Sequence, residues 1–375
     1  MSNAPQDLLT IVERIKTAAS ASTPLRIRGG GTKDFYGQSL QGDILDTTGL
    51  NGITSYEPSE LVVTVKAGTP LAELEAVLAE KNQCLPFEPP HYSVGTTVGG
   101  MVAAGLSGPS RASSGSVKDF VLGVDMVNGK GEALHFGGTV MKNVAGYDVS
   151  RLMAGSMGTL GLITEVSLKV LPIAPAEATL KFECTQSEAL NMLNAWGAQP
   201  LPLNASCWIQ EAGVGTLYVR LRGAVAAVEA AIQKMGGQLQ NAASGNATVA
   251  ADWQALRNQS MDFFKLQGDE CLWRLSVPDT APDLQLGETL VEWHGAQRWV
   301  KLPYSAVERI RSDVNKLGGN AILFIANDAT NTPAKMVNRV VFNPLKAPLD
   351  RIHRELKRQF DPAGIFNRGR MFADM

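Results

Sequence analysis

A segment crowded with glycine, residues 89–108, carries the strongest chemical signal in this sequence. It reads PPHYSVGTTVGGMVAAGLSG, with apolar Val98, Met101 and Val102 among its glycines. Glycine allows the backbone to approach a bulky ligand closely and to take positive φ angles, and the apolar residues argue against a solvated linker. The pattern favours a buried cradle for a large, flat, polyanionic cofactor; a glycine-rich turn in a packed core is the alternative.

Two more glycine segments precede residue 172, and each lies beside a predicted strand. The alternation in Leu25–Arg28 predicts a short strand that runs into Gly29-Gly30-Gly31-Thr32, whose successive N–H groups suit a phosphate. The third segment, residues 155–161, precedes a strand predicted for residues 162–171. Neither segment has the Walker spacing or the dinucleotide-binding fingerprint, so the three segments carry the argument for a cofactor only together.

Histidine and cysteine are too scattered to indicate a metal centre. The residues concerned are His91, His135, His294, His353, Cys84, Cys184, Cys207 and Cys271. No CxxC pair occurs, and a structural zinc site or an iron–sulfur cluster needs several ligands at close spacing. We therefore expect no metal, isolated reduced thiols and ordinary imidazoles.

Composition places the chain among ordinary globular proteins. It has 375 residues, of which 45% are apolar and 19% charged, and its formal net charge is −2. The length allows two domains with sizeable cores, and the balanced charge argues against nucleic acid as a main partner.

No apolar run approaches a membrane span, and we see no secretory signal. We expect a cytoplasmic protein, with peripheral attachment to the membrane through a partner as an open alternative.

Periodicity predicts the elements that position the glycine segments. Helices are predicted at residues 7–19, 71–81 (with Thr69 as N-cap) and 99–106, and the N-terminus of the last should face the ligand. Asn128-Gly129 predicts a hairpin between strands at residues 117–128 and 132–136. From residue 178 onward, strands alternate with amphipathic helices, which predicts antiparallel sheet layered with helices.

The glycine segments resemble the FAD-binding domain of the vanillyl-alcohol-oxidase-like flavoprotein superfamily, the PCMH type. Residues 28–32 are similar to its pyrophosphate loop, and residues 94–100 with Ser107-Gly108-Pro109 and Arg111 to its flavin-cradling loop. Residues 142–148 (KNVAGYD) and 155–161 (GSMGTLG) resemble two further signatures, and residues 360–367 (FDPAGIFN) resemble the closing motif. These motifs span nearly the whole chain in the family's order.

The resemblance implies an α+β fold with three parts. A PCMH-type FAD-binding domain should take residues 1–173, a smaller antiparallel α+β cap domain residues 174–335, and a C-terminal segment, residues 336–375, should complete the FAD domain. FAD should be bound non-covalently. The residues that the resemblance places against FAD are Arg28, Gly29, Gly30, Gly31, Thr32, Pro90, Gly95, Thr96, Thr97, Gly99, Gly100, Ser107, Gly108, Arg111, Gly155, Gly158, Thr159, Gly161 and Ile163.

Within that superfamily the chain is most similar to the smaller flavin-binding subunits of bacterial glycolate oxidases. Residues 272–278 and 295–299 carry this resemblance. It implies an FAD-dependent oxidoreductase subunit that takes part in oxidising glycolate or D-2-hydroxy acids to 2-oxo acids. The implied partners are a larger FAD-binding subunit and an iron–sulfur subunit. The histidine cluster that the larger subunits carry in the cap has no counterpart here.

Two arginines are candidates for binding such a substrate. Arg274 and Arg298 lie in predicted cap strands, and a guanidinium binds a carboxylate bidentately. The alternative is that each pairs with a surface acid or stacks on Trp273 or Trp299. Two functional alternatives also remain open: a stand-alone FAD-dependent 2-hydroxy-acid dehydrogenase, and a catalytically silent flavin-binding scaffold.

Overall fold

The computed structural model of the chain describes residues 7–38, 41–139, 148–211, 213–241, 243, 247–327, 339–373 and 375. Residues 142–147 of the KNVAGYD motif, Lys142 and Tyr147 included, lie outside the described residues. Among the described helices, none is long and apolar enough to cross a membrane.

The first half of the chain combines short helices with strands. Its elements are α1 (Leu8–Ala21), β1 (Leu25–Arg28), β2 (Asp43–Asp46), β3 (Ile53–Glu57), β4 (Val62–Lys66), α2 (Leu71–Glu80), β5 (Gln83–Cys84), α3 (Val98–Ala104), α4 (Arg111–Ser114), α5 (Val117–Phe120), β6 (Val121–Val127), β7 (Ala133–Gly137), α6 (Val149–Met153), β8 (Leu162–Lys169) and β9 (Leu171–Pro172). β1 and β2 form a parallel pair, and β5 pairs with β9.

A five-stranded antiparallel sheet in the order β3-β4-β8-β6-β7 forms the centre of this half. The helix α2 buries Leu71, Leu74 and Leu78, which share one helical face, against the sheet. The predicted hairpin is confirmed, because β6 and β7 pair on either side of residues 128–131. Each of the three glycine segments is thereby held at the end of an element of this half.

Two local predictions in this half are wrong. Thr69 does not cap α2: its hydroxyl accepts a hydrogen bond from the Gly52 amide, and the helix begins after Pro70. Residues 117–120 form the helical turn α5 rather than a strand. A capping box between Ser116 and Asp119 begins that turn, because each side chain satisfies the other's backbone amide.

The second half forms one large sheet with helices. Its elements are β10 (Ala176–Glu183), α7 (Gln186–Gly197), β11 (Leu203–Glu211), β12 (Val214–Gly223), α8 (Val225–Met235), β13 (Gln238–Gln240), α9 (Val249–Arg257), β14 (Glu270–Ser276), β15 (Thr289–Glu292), β16 (Gln297–Pro303), α10 (Val307–Lys316) and β17 (Asn320–Ala326). The strand order is β13-β10-β12-β11-β15-β16-β14-β17, and every pairing is antiparallel. This eight-stranded sheet is called the cap sheet below.

Both faces of the cap sheet are buried. Along β14, Trp273 packs with Ile310 of α10, whereas Leu272 packs with Tyr36, Leu106 and other residues of the first half. Alternate residues of a strand point to opposite faces. One face of the cap sheet therefore lies against α7, α8 and α10. The other, called the inward face below, lies against α9 and the glycine segments.

The last described segment returns to the first half. The helix α11 (Leu349–Phe360) packs Leu356 and Phe360 onto the first-half core. Beyond it, the Leu25 amide of β1 donates to the Ile365 carbonyl at 2.7 Å, and the Asn367 amide donates to the Leu25 carbonyl at 2.9 Å. The segment of residues 361–370, called the tail below, thus extends the β1–β2 pair.

Candidate functional site

A cleft in the first half brings the three glycine segments together. It contains about 820 Å³ of space between protein atoms, a figure that includes open solvent. The predicted residues that line it are Arg28, Gly29, Gly30, Gly31, Thr32, Thr97, Gly99, Gly100, Gly158, Gly161 and Ile163. Residues from all three segments therefore share one cleft.

The other predicted residues are not among those that line the cleft. They are Pro90, Gly95, Thr96, Ser107, Gly108, Arg111, Gly155 and Thr159, none of which lines the cleft. The Thr96 hydroxyl lies 3.2 Å from that of Thr32, and the Ser107 hydroxyl accepts a hydrogen bond from the Val117 amide. Several of these residues therefore hold the segments in place rather than face the cleft.

The first glycine segment has the features of an anion site. Within the described chain, none of the backbone N–H groups of residues 29–33 donates a hydrogen bond to a protein acceptor. Lys33, which the sequence analysis did not select, lines the cleft beside them. Burial lowers the pKa of Lys33 to about 8, and its ammonium lies 5.8 Å from the centre of the Tyr92 ring. Successive N–H groups beside a buried cation suit a phosphate.

Arg28 has a different environment from Lys33. Its Nε lies 2.9 Å from the carboxylate of Asp34, which also pairs with Arg26. A Cβ added at Gly31, whose φ is +69°, would overlap the Arg28 guanidinium. Arg28 therefore shapes the segment through Asp34, whereas Lys33 has no carboxylate partner in the described chain.

The start of α3 lines the cleft through Thr97, Gly99 and Gly100, but its first amides donate to acceptors within the protein. The Val98 amide donates to the Thr69 carbonyl at 2.9 Å and the Gly99 amide to the Ala67 carbonyl at 2.7 Å, while the Gly100 amide donates to the Thr97 hydroxyl. A Cβ at Gly99 would also press on Ala67. Glycine at this position allows α3 to pack closely against the end of β4.

The tail contributes two cleft residues that the sequence analysis missed, Asn367 and Arg370. The Asn367 amide group accepts from the Ile27 N–H at 2.8 Å and donates to the Met157 carbonyl at 2.6 Å. It thereby joins β1 to the third glycine segment. The Arg370 guanidinium donates to the carbonyls of residues 33, 34 and 38. The closing motif at residues 360–367 indicated that this segment is important. The contacts of Asn367 could not be predicted, because they depend on the tertiary fold.

A buried ion pair fixes the tail. The Lys357 ammonium lies 2.7 Å from the Asp361 carboxylate and donates to the carbonyls of Thr159 and Phe366. Asp361 also accepts from the amides of Ile365 and Phe366. Each charge therefore has several partners, which is the condition for keeping charges inside a protein.

The two predicted catalytic arginines lie on opposite faces of the cap sheet. Arg274 is on the inward face of β14, with its guanidinium 5.9 Å from the Phe324 ring. Arg298 is buried on the other face, where it donates to the carbonyls of Gly295, Ala281 and Pro282. That placement gives Arg298 no access to the cleft, so a substrate contact by Arg298 has no support in the structure.

Two carboxylates of the first half bind arginines of the second half. Glu88 binds Arg220 through both carboxylate oxygens, each at 2.7 Å, and also pairs with Arg222. Glu75 pairs with Arg257 and accepts from His91. Among the described residues, no group of three or more His, Cys, Asp or Glu side chains is arranged to hold a metal ion.

Known proteins resemble this chain in both sequence and structure. Residues 3–149 match the FAD binding domain family. Alkyldihydroxyacetonephosphate synthase shares the fold, with a TM-score of 0.66 at 16% identity over 97% of this chain and 74% of that chain. The predicted α+β fold with a PCMH-type FAD-binding domain is thus confirmed, as is FAD as the cofactor.

Relatives with similar sequences indicate more closely which family the chain belongs to. The glycolate oxidase subunit GlcD of Bacillus subtilis is 31% identical over 45% of this chain and 36% of its own length. A D-lactate dehydrogenase of Archaeoglobus fulgidus is 30% identical over 50% of this chain and 43% of its own length. The glycolate oxidase subunit GlcE of Escherichia coli is 45% identical over 369 residues, 97% of each chain. This chain belongs to the family of the glycolate oxidase subunit GlcE.

Proposed function

We propose that this chain is the FAD-binding subunit of a glycolate oxidase complex, which oxidises glycolate or related D-2-hydroxy acids to 2-oxo acids. The observation that carries the proposal is the cleft, in which three glycine segments and the tail meet. The match to a glycolate oxidase subunit over nearly the whole chain supports the substrate class. We assign residues 1–173 to the FAD domain, 174–335 to the cap and 336–375 to the segment that completes the FAD domain.

The cleft fits the pyrophosphate and a flat ring of FAD. The unpaired amides of residues 29–33 and the Lys33 ammonium would hold the pyrophosphate, because both favour negative charge. Apolar Ile163 and Met157 line the same cleft and suit a flat ring. When bound, FAD supplies the two-electron redox chemistry; the chain binds and orients it.

The complex that we propose has two further subunits, a larger FAD-binding subunit and an iron–sulfur subunit. The relative that spans this chain is named a subunit, which supports a multi-subunit assembly. The four cysteines of this chain lie far apart in the sequence, so single-electron transfer through a cluster falls to another chain. We place the complex in the cytoplasm, with attachment to the inner face of the cell membrane through its partners as the alternative.

The purified chain is expected to carry about one FAD, released by acid denaturation and measured by its absorbance. A colourless protein that takes up no added FAD would contradict the proposal. Anaerobic addition of glycolate to the FAD-loaded chain then separates the alternatives. Loss of flavin absorbance in the isolated chain supports a stand-alone dehydrogenase, whereas loss only after the larger subunit is added supports a subunit that depends on its partner.

Replacing Gly30 by valine should weaken FAD binding at least tenfold, equivalent to about 1.4 kcal/mol. A Cβ at Gly30 would overlap the Gly95 carbonyl and push the first and second glycine segments apart. The matched control is Gly197→Ala, since a Cβ there meets no atom within 4 Å. Equal FAD dissociation constants for Gly30→Val and the unchanged protein, measured by fluorescence titration, would show that this contact does not shape the cleft.

A further inference from the structure

A second cavity lies in the other half of the protein, between α9 and the inward face of the cap sheet. Its volume is about 370 Å³, and it shares no lining residue with the cofactor cleft. An engineered apolar cavity of about 150 Å³ is large enough to bind benzene. This space, called the α9 cavity below, therefore has room for a ring that carries a short side chain.

The walls of the α9 cavity are mainly apolar. Cys207 and Ile209 of β11 lie on the sheet side. Val249, Trp253 and Leu256 of α9 lie on the helix side, and their spacing by four and three positions places them on one face of the helix. An apolar body in the cavity would therefore contact both the helix and the sheet.

Contacts with the first half hold α9 in position. Arg257, at the end of the helix, pairs with Glu75 at 2.5 Å and donates to the Pro89 carbonyl at 2.8 Å. Asn258 accepts a hydrogen bond from the His91 amide at 2.9 Å. These contacts oppose a collapse of α9 onto the sheet, and protein interiors seldom leave such space unfilled. The α9 cavity thus has the preformed walls that are typical of small-molecule sites.

Two aromatic residues of the α9 cavity favour a cationic ligand. Trp253 and Tyr218 both line it. The Trp253 ring N–H donates to the Thr179 hydroxyl at 2.9 Å, so the polar atom of the indole is satisfied and the orientation of the ring is fixed. Indole and phenol rings attract an organic ammonium group, and the attraction strengthens where water is excluded.

The charged side chains at the opening of the α9 cavity are carboxylates. Asp252, Ser260 and Asp262 line it and are exposed to solvent, and no lysine or arginine of the described chain is among the lining residues. Asp262 pairs with Lys265 at 2.5 Å. Asp252 accepts a hydrogen bond from the Thr248 hydroxyl at 3.4 Å and forms no ion pair within the described chain. Its charge would attract a cation and repel an anion.

We propose that the α9 cavity is a second ligand site, which binds a small organic cation with an apolar body, of the arylalkylamine class. The apolar body lies between the helix and the sheet, and the ammonium group lies at the opening, near Asp252. The inference does not rest on the proposed function, because the cavity and the cofactor cleft have no lining residue in common.

Calorimetric titration of the FAD-loaded chain with three probes tests the class of ligand. The probes are 2-phenylethylamine, 2-phenylethanol and phenylacetate, which at neutral pH are a cation, a neutral molecule and an anion of similar size. We expect the amine to bind with a dissociation constant on the order of 1 mM or below. The alcohol should bind about fivefold more weakly, because it lacks the attraction of the ammonium group to the rings and to Asp252. Phenylacetate should not bind.

Two substitutions test the location of the ligand. Ala255→Phe adds a ring at a lining position of α9 and should weaken binding of the amine about tenfold or more. Asp252→Asn should weaken binding of the amine and leave that of 2-phenylethanol unchanged. The matched controls are Ala227→Phe and Glu229→Gln, both at exposed positions of α8. FAD content and melting temperature are measured for every variant, and Ala255→Leu replaces Ala255→Phe if that variant is unstable.

Several results would overturn the site. They are no binding of 2-phenylethylamine, equal binding of the amine and phenylacetate, and unchanged affinity for the amine in a folded Ala255→Phe or Ala255→Leu variant. Equal affinity for the amine in Asp252→Asn and the unchanged protein would overturn the position given to the ammonium group. A chain that binds the amine but holds no FAD would contradict the proposed function and leave the α9 cavity as a ligand site.

Discussion

Replacing Asp361 by alanine will lower the free energy of unfolding by about 3–5 kcal/mol, the usual effect of breaking a buried ion pair. The change leaves the Lys357 ammonium buried without its carboxylate and removes the acceptor of the Ile365 and Phe366 amides. Since the tail carries Asn367 and Arg370 into the cleft, FAD retention should fall as well. Urea unfolding at pH 7 measures the first effect, and the FAD content of the purified variant measures the second.

Two control substitutions test this prediction. Asp361→Asn keeps an acceptor for the amides but loses the charge, so its effect should be smaller than that of alanine. Glu355→Ala removes an exposed carboxylate that pairs with Arg358 on the same helix, and such a pair contributes less than about 1 kcal/mol. If Asp361→Ala destabilised the protein no more than Glu355→Ala, the buried pair would not be what fixes the tail.

The second large effect is expected at the boundary with the cap sheet, where Glu88→Ala should also cost about 3–5 kcal/mol of stability. Glu88 provides both oxygens to Arg220, whose side chain is only 4% exposed. Its removal leaves that guanidinium buried without a carboxylate partner, although Nε still donates to Asn204. The matched control is Glu177→Ala, which removes another partner of Arg222 from a position that is 38% exposed, so its effect should stay below about 1 kcal/mol.

The Glu88 carboxylate also predicts that the free energy of unfolding decreases at acidic pH. Burial alone would raise the pKa of Glu88, but Arg220 and Arg222 outweigh it, and the pKa is lowered from 4.5. The contribution of Glu88 is therefore complete above the pKa of the unfolded chain and is lost as the pH falls through the lower pKa of the folded chain. Urea unfolding at several pH values below 5 should show a shallower loss of stability in Glu88→Gln than in the unchanged protein.

Glycine could be interpreted from sequence because it reports backbone conformation directly. The three segments and their adjoining strands were predicted, and the structure brings them into one cleft. What each glycine contacts could not be predicted, because the partner is distant in the chain. A Cβ at Gly99 would meet Ala67, and one at Gly158 would meet Asn367.

The sequence also could not show on which face of the cap sheet Arg274 and Arg298 lie. A strand with one solvent-exposed face alternates polar and apolar residues, and this alternation distinguishes its two faces. The cap sheet is buried on both faces, so β14 and β16 show no such alternation, and a shift of one residue exchanges the faces. By contrast, α7 was missed although a signal was present: Thr185 and Glu188 form a capping box at its start.

The pairing of the tail with β1 has a consequence for how the protein is made. Ile27 and Asn367, which share a hydrogen bond, are 340 positions apart in the chain. A ribosome releases the first glycine segment long before the tail exists, so the tail can join β1 only after the intervening sheets have been synthesised. Nascent chains that stall after the cap sheet would present an unfinished cleft with an unpaired strand edge, a target for chaperones. FAD should therefore be acquired after synthesis, as the last step of maturation.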